Sequence, residues 1–193
     1  MRWYSDPDGW DGSVPAAFVR PVRGSGPRRA LLRRLAARAV SRPLRSVRVE
    51  HHEGAPPRLA GNSGLHLSSS ARADWAALAL ASGPIGIDVE RVERDGDIPW
   101  RVLHADEAAA LRELRSGVVR DCAFARIWTV KEAYLKARGT GLARGPESFA
   151  VTLLDGATAR VDDPLAEIRV SADTTWPVPG SVVASVVLLD PGS

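Results

Sequence analysis

The chain has 193 residues, of which 45% are apolar and 25% charged, and its net charge is +3. Such a composition excludes a disordered or fibrous protein and allows one domain or two small halves around a buried core. Cys122 is the single cysteine, which excludes an internal disulfide and makes a reducing cytoplasm the default compartment.

Residues 1–26 are rich in Gly, Pro and Asp and predict irregular structure. The opening MRWYSDPDGW lacks the basic start and apolar run of a secretory signal. A helix follows from Pro27, which suits a first helical position. Leu31, Leu32, Leu35 and Ala39 mark its apolar face, and it ends before Pro43. No acid occurs between Asp11 and Glu50, a stretch that holds ten arginines. It is either a solvated face or a surface for phosphates, nucleic acid or an acidic protein. Without interleaved aromatics or a known motif, nucleic acid is not expected. Residues 53–64 read as a loop, 75–81 as a buried strand, 82–84 as a turn and 85–92 as the returning strand. An acid-led helix is expected over 106–115, with His104 just before it either capping or packing, and a longer helix over 121–138, stopped by Gly139. Strand-like runs at 149–154, 167–170 and 182–189 complete the chain. The last of these is far short of the roughly 20 residues a spanning helix needs, so no membrane association is expected. No repeat is visible. Helices and strands mix without regular alternation, which predicts an α+β fold.

Two segments carry candidate chemistry. In the strand Ile85-Gly86-Ile87-Asp88-Val89-Glu90, alternation puts Ile85, Ile87 and Val89 on a core face and Asp88 with Glu90 on the other. Adjacent carboxylates repel unless a cation or hydrogen bonds intervene, and magnesium suits them; the alternative is a wet face with two solvated acids. In the helix, Phe124, Ile127, Trp128, Tyr134 and Leu135 form an apolar stripe, with Glu132 and Lys136 along its edge. Lys131 points into the stripe and must snorkel or meet an anion. Of the 26 basic residues only Lys131 and Lys136 are lysines, in a chain that otherwise uses arginine. That choice suggests a need for compact ammonium groups at this place. A surface Glu–Lys helix pair would explain Glu132 and Lys136 but not Lys131.

GIDVE at 86–90 and WTVKEAYLKARGTGL at 128–142 resemble, in residue type, spacing and element, the paired signatures of Sfp-type 4'-phosphopantetheinyl transferases. The resemblance covers about residues 28–190. It implies two similar α+β halves related by a pseudo-twofold, with a site between them and a division near residue 84 (1–83 basic and coenzyme-binding, 84–193 metal-binding and catalytic). It implies transfer of the phosphopantetheine arm of coenzyme A to a serine of an acyl or peptidyl carrier protein, releasing adenosine 3',5'-bisphosphate, by a monomer. By position, Asp88, Glu90 and Glu132 would hold magnesium. Glu132 would be the general base, Lys136 would contact the diphosphate, and Lys131 would be a second phosphate contact.

The match departs at two places. The family's Asn-Leu-Ser-His-Ser motif is His66-Leu67-Ser68-Ser69-Ser70 here, so Ser69 stands for the histidine that reads the coenzyme's 3'-phosphate. Ala55 stands for the lysine of a Gly-Lys-Pro motif. Ser68 and Ser69 can still donate hydroxyl hydrogen bonds to phosphate. A guanidinium from Arg29, Arg33, Arg48 or Arg58 could compensate. The same departures admit a donor lacking that phosphate, or a family member that binds a carrier or nucleotide without catalysis.

Overall fold

The computed structural model describes residues 1–52, 54–61, 64–141 and 144–190. Its strands are β1 (Arg2–Tyr4), β2 (Ala16–Pro21), β3 (Val49–Glu50), β4 (Arg58–Leu59), β5 (His66–Arg72), β6 (Trp75–Ala81), β7 (Ile85–Arg91), β8 (Ala150–Leu153), β9 (Thr158–Asp163), β10 (Ile168–Val178) and β11 (Val182–Leu188). The helices are α1 (Ser25–Ala39), α2 (Ala105–Glu113) and α3 (Val118–Arg138). The fold is α+β, as expected. The first sheet runs β1-β2-β6-β5-β4-β3 and the second β7-β11-β10-β9-β8. With β1 set aside, one order occurs twice. In each sheet the opening strand pairs with the last one, the remaining strands descend in sequence, and a long helix follows the opening strand. The repetition is of backbone path and leaves no trace in the sequence.

Side-chain alternation builds the layers. α1 buries Leu32, Leu35 and Ala36 against Trp10, Phe18, Leu67, Leu78 and Leu80 on one face of the first sheet. The other face presents Ala17, Val19, Ala77, Ala79 and Ala81 to Ile85, Ile87, Val89, Val182, Ala184 and Val186 of the second sheet. Small alanines let the two sheets approach closely. β6 is covered on both faces, which is why its sequence reads as a continuous apolar run. On the far side of the second sheet, α3 packs Ile127, Val130, Tyr134 and Leu135 with Phe149, Val161 and Val187.

Gly86 sets the distance between α3 and β7. A Cβ built there would lie 1.9 Å from the Ala133 carbonyl oxygen and 2.5 Å from the Ala137 nitrogen, both backbone atoms. Gly86, Asp88 and Glu90 therefore share the face that α3 approaches. At its end, α3 stops on Gly139 in the left-handed region (φ 68°), where a glycine carries no Cβ penalty.

Three expectations are corrected. Residues 1–26 contain β1 and β2, joined in parallel register from Arg2↔Ala16 to Tyr4↔Phe18. Segments 75–81 and 85–92 do not form a hairpin: β6 pairs with β2 and β5, and β7 with β11. β9 was not expected and β10 only over its first residues, although Ala159 and Val161 alternate with Thr158, Arg160 and Asp162, and Val170 and Ala172 with Arg169, Ser171 and Asp173. Asp163 is buried there, where it accepts from Tyr134 Oη at 2.6 Å and pairs with Arg144.

Candidate active site

β5, β7 and α3 meet at one place. Ser68 Oγ accepts the Ile87 amide at 3.1 Å and ties β5 to β7. Two residues on, Ser70 Oγ donates to Asp88 Oδ1 at 2.6 Å. Lys136 reaches across from α3, with Nζ 2.6 Å from the same Asp88 oxygen and 3.3 Å from the Ile87 carbonyl. Asp88 Oδ2 is buried with no hydrogen-bond partner. Next along β7, Glu90 Oε2 lies 3.0 Å from Arg72 Nε, and Arg72 Nη2 also donates to Glu93 at 2.8 Å.

The acids are held under electrostatic tension. Burial, and then the charge of Asp88, push Glu90 up to about 7, against the pull of Arg72 and Lys136. Burial also raises Glu132, where Lys136 opposes and Asp88 adds to the shift. Three neighbouring carboxylates in a partly dry site favour an added cation. Among the described residues, however, no three His, Cys, Asp or Glu side chains are gathered as a ready metal cage. The expectation that Asp88, Glu90 and Glu132 stand converged on one ion is not met as the side chains lie, because Lys136 sits on Asp88 and Arg72 on Glu90. The donor set still fits a hard divalent ion: all ligands are carboxylates, and Asp88 Oδ2 lacks a partner.

Along α3, Phe124, Trp128, Glu132 and Lys136 recur every four residues, and all are half-buried on a helix otherwise covered nearly all round. This strip faces a cleft in which two of the cavities are lined by Glu90 or Glu132. One, of about 320 Å³, is lined by His51, Ala55, Pro56, Pro57, Ser68, Ser69, Glu132 and Lys136. The other, of about 260 Å³, is lined by Glu90, Arg72, Ile98, Pro99, Phe124 and Trp128, with Glu93, Asp97 and Asp121 on its wall. Phe124 and Trp128, expected in the core stripe, thus form a cavity wall.

Lys131 is the clearest correction. It is 0% exposed, and its ammonium sits 2.8 Å from Glu107 Oε1 while donating to the Pro146 and Phe149 carbonyls at 2.7 and 2.8 Å. All three donors are engaged inside the second half, so it cannot contact a phosphate in the cleft. Glu107 also accepts the Val151 and His104 amides, closing the capping box that His104 opens on α2. Burial pushes Glu107 up and Lys131 down, and each group's charge offsets the shift of the other.

Ser68 and Ser69 line the larger cavity. Arg33, one candidate for a compensating cation, is engaged by the Val47 and Leu44 carbonyls at 2.7 and 2.6 Å. Sequence reasoning missed Ser70 and Arg72. Period-two alternation from Ser68 would have found both had 66–72 been recognised as a strand.

Residues 84–187 match the model of the 4'-phosphopantetheinyl transferase superfamily. Among curated relatives, 4'-phosphopantetheinyl transferase psf-1 of Bacillus pumilus is 29% identical over 136 residues, covering 69% of this chain and 58% of the relative. The enzyme gsp of Aneurinibacillus migulanus is 30% identical over 132 residues, covering 65% and 54%. Sfp of Bacillus subtilis strain 168 is 26% identical over 135 residues, covering 69% and 60%. The chain thus matches little more than half the length of these relatives. Among the described residues, no helix is long and apolar enough to cross a membrane.

Proposed function

The chain belongs to the 4'-phosphopantetheinyl transferase superfamily, of Sfp type, and we propose that it transfers the 4'-phosphopantetheine arm of coenzyme A to a serine of an acyl or peptidyl carrier protein. The observation that carries this is the Lys136–Asp88 contact at 2.6 Å, with Glu132 one turn before Lys136, where both halves of the fold meet. In this proposal residues 1–83 grip the donor and residues 84–193 carry the reacting groups, within one cytoplasmic monomer.

A magnesium ion held by Asp88, Glu90 and Glu132 would neutralise charge on the donor's diphosphate and orient it. Ser70 and Lys136 hold the Asp88 carboxylate in place for that task. Lys136, the cation on the cleft face of α3, contacts the diphosphate and stabilises negative charge as the leaving group departs. Ser68 and Ser69 donate hydroxyl hydrogen bonds to phosphate oxygens. Burial sets Glu132 above the ordinary carboxylate range, closer to the pKa a base needs at neutral pH, so it takes the proton of the carrier serine. The serine oxygen bonds to the phosphorus that bears the pantetheine, and the bond from that phosphorus to adenosine 3',5'-bisphosphate breaks. The acidic wall and aromatic floor of the 260 Å³ cavity suit the uncharged pantetheine arm and disfavour the nucleotide, which leaves the larger cavity for the adenosine end.

The test is mass spectrometry of apo carrier proteins incubated with the protein, magnesium and coenzyme A. A mass gain of one phosphopantetheine arm is expected, with the rate falling about 100-fold or more in Glu132→Gln. No gain on any of several carriers, or full activity in Glu132→Gln, would refute the assignment.

A further inference from the structure

We propose that Arg72 is a resident counter-ion of Glu90 that yields its place to a divalent ion by turning to Glu93, so that this arginine sets how tightly the acids hold metal; this rests on the metal role given above to Asp88, Glu90 and Glu132. Arg72 closes β5 in the first half and reaches two acids of the second. Its Nε lies 3.0 Å from Glu90 Oε2, and its Nη2 donates to Glu93 Oε1 at 2.8 Å. The forked guanidinium thus holds both carboxylates at once. The Glu90 side chain is 21% exposed and that of Glu93 71%, so the more buried acid depends on a nearby cation far more than the solvated one.

Asp88 and Glu90 are not equally ready for an ion. Ser70 and Lys136 both engage Asp88 Oδ1 and leave the buried Oδ2 without a partner, so Asp88 can offer an oxygen and keep both contacts. Glu90 Oε2 is covered by Arg72. A divalent ion seated there would meet a guanidinium at close range, a repulsion that favours the arginine's departure. Nothing hinders that departure. Arg72 is about half exposed, it already grips Glu93, and Arg72, Glu90 and Glu93 line the same 260 Å³ cavity. A swing about side-chain bonds suffices, and the tie of β5 to β7 through Ser68 and the Ile87 amide stays in place. Arg72 and Glu93 are therefore positioning residues: the arginine acts through Glu90, and Glu93 acts through the arginine it receives.

The test is a titration of manganese(II), a hard ion that suits the same oxygen ligands as magnesium and whose free form is counted by electron paramagnetic resonance. It is made without any donor on the wild type, Arg72→Gln, Arg72→Lys, Glu93→Gln and the double variant Arg72→Gln/Glu93→Gln, and repeated with magnesium as competitor. Arg72→Gln is expected to tighten metal binding about tenfold, and Arg72→Lys to return most of the way to wild type, as removal and retention of one positive charge beside a divalent ion require. Glu93→Gln is expected to weaken binding about threefold in the wild type, by confining the arginine to Glu90, and to change nothing in Arg72→Gln. Unchanged or weaker affinity in Arg72→Gln overturns the proposal, as does a Glu93→Gln loss equally large with and without the arginine, which would mark a plain long-range charge effect. Absence of metal binding in the wild type and Arg72→Gln alike removes the metal role of the acids itself, and this inference with it.

Discussion

Gly86→Ala is the sharpest probe of how the fold holds its site. The added methyl would sit 1.9 Å from the Ala133 carbonyl oxygen, 2.5 Å from the Ala137 nitrogen and 2.9 Å from the Ala133 carbonyl carbon. All three atoms are helix backbone, so no rotamer change relieves the overlap and α3 must move off β7. Overpacking typically costs about 1–3 kcal/mol, and a backbone clash belongs at the upper end, about 3 kcal/mol. For a chain of this size each kcal/mol lowers the melting temperature by about 2–4 °C, giving a drop of about 6–12 °C. The same shift carries Glu132 and Lys136 away from Asp88, so transfer to a carrier protein should fall about 100-fold even where the variant is folded. Gly9→Ala is the control, since nothing lies within 4 Å of its would-be Cβ. Differential scanning calorimetry and the mass-gain assay measure both effects. A Gly86→Ala protein that melts within a degree of wild type and transfers normally would refute the close approach of α3 to β7.

Lys131→Met removes the partner of a fully buried carboxylate, and urea unfolding should show a loss of about 3–5 kcal/mol, partly recovered by adding Glu107→Gln. A variant with unchanged stability but a raised KM for coenzyme A would instead mark Lys131 as a phosphate ligand. Glu90 gives a pH signature. Its folded pKa of about 7 lies above the ordinary 4.5, so across that window the unfolded chain ionises while the folded one keeps its proton. Ionisation therefore opposes folding above pH 7 and has no effect below about pH 4.5. Glu90→Gln should gain about 3 kcal/mol at pH 8 and almost nothing at pH 4, and equal urea-midpoint shifts at both would contradict the shift.

Much of the second half of the chain was legible in its sequence, β9 and most of β10 excepted, because several elements there have a local cause. Alternation in 85–90 marks β7, the four-residue rhythm and Gly139 mark α3, and the acids after His104 mark α2. The first half was less legible. β1, β3 and β4 are two or three residues long and exist through pairing with distant strands, which no local pattern records. The hairpin expected at 75–92 failed because β6 and β7 are both covered by the opposing sheet, and an apolar run does not say which sheet a strand joins. Asp88, Glu132 and Lys136, named from the motifs, lie close together in the structure, whereas Lys131 is turned into a buried ion pair. An ammonium aimed into an apolar stripe fits a ligand contact or a buried ion pair equally well, and its partner Glu107 lies on another helix. Ser70 and Arg72 were missed for want of a recognised β5.

The same strand order runs twice along this chain, yet the two copies of that path carry opposite chemical burdens. Residues 1–83 carry more basic than acidic groups and residues 84–193 more acidic than basic ones, with the carboxylates Asp88, Glu90 and Glu132 in the later copy. On the proposed function, a donor bound along the seam would have its anionic end drawn one way and its reacting centre the other. On that reading, substitutions in the earlier copy away from Ser70 and Arg72, which touch Asp88 and Glu90, would change how a donor is held while leaving the acids of the later copy in place.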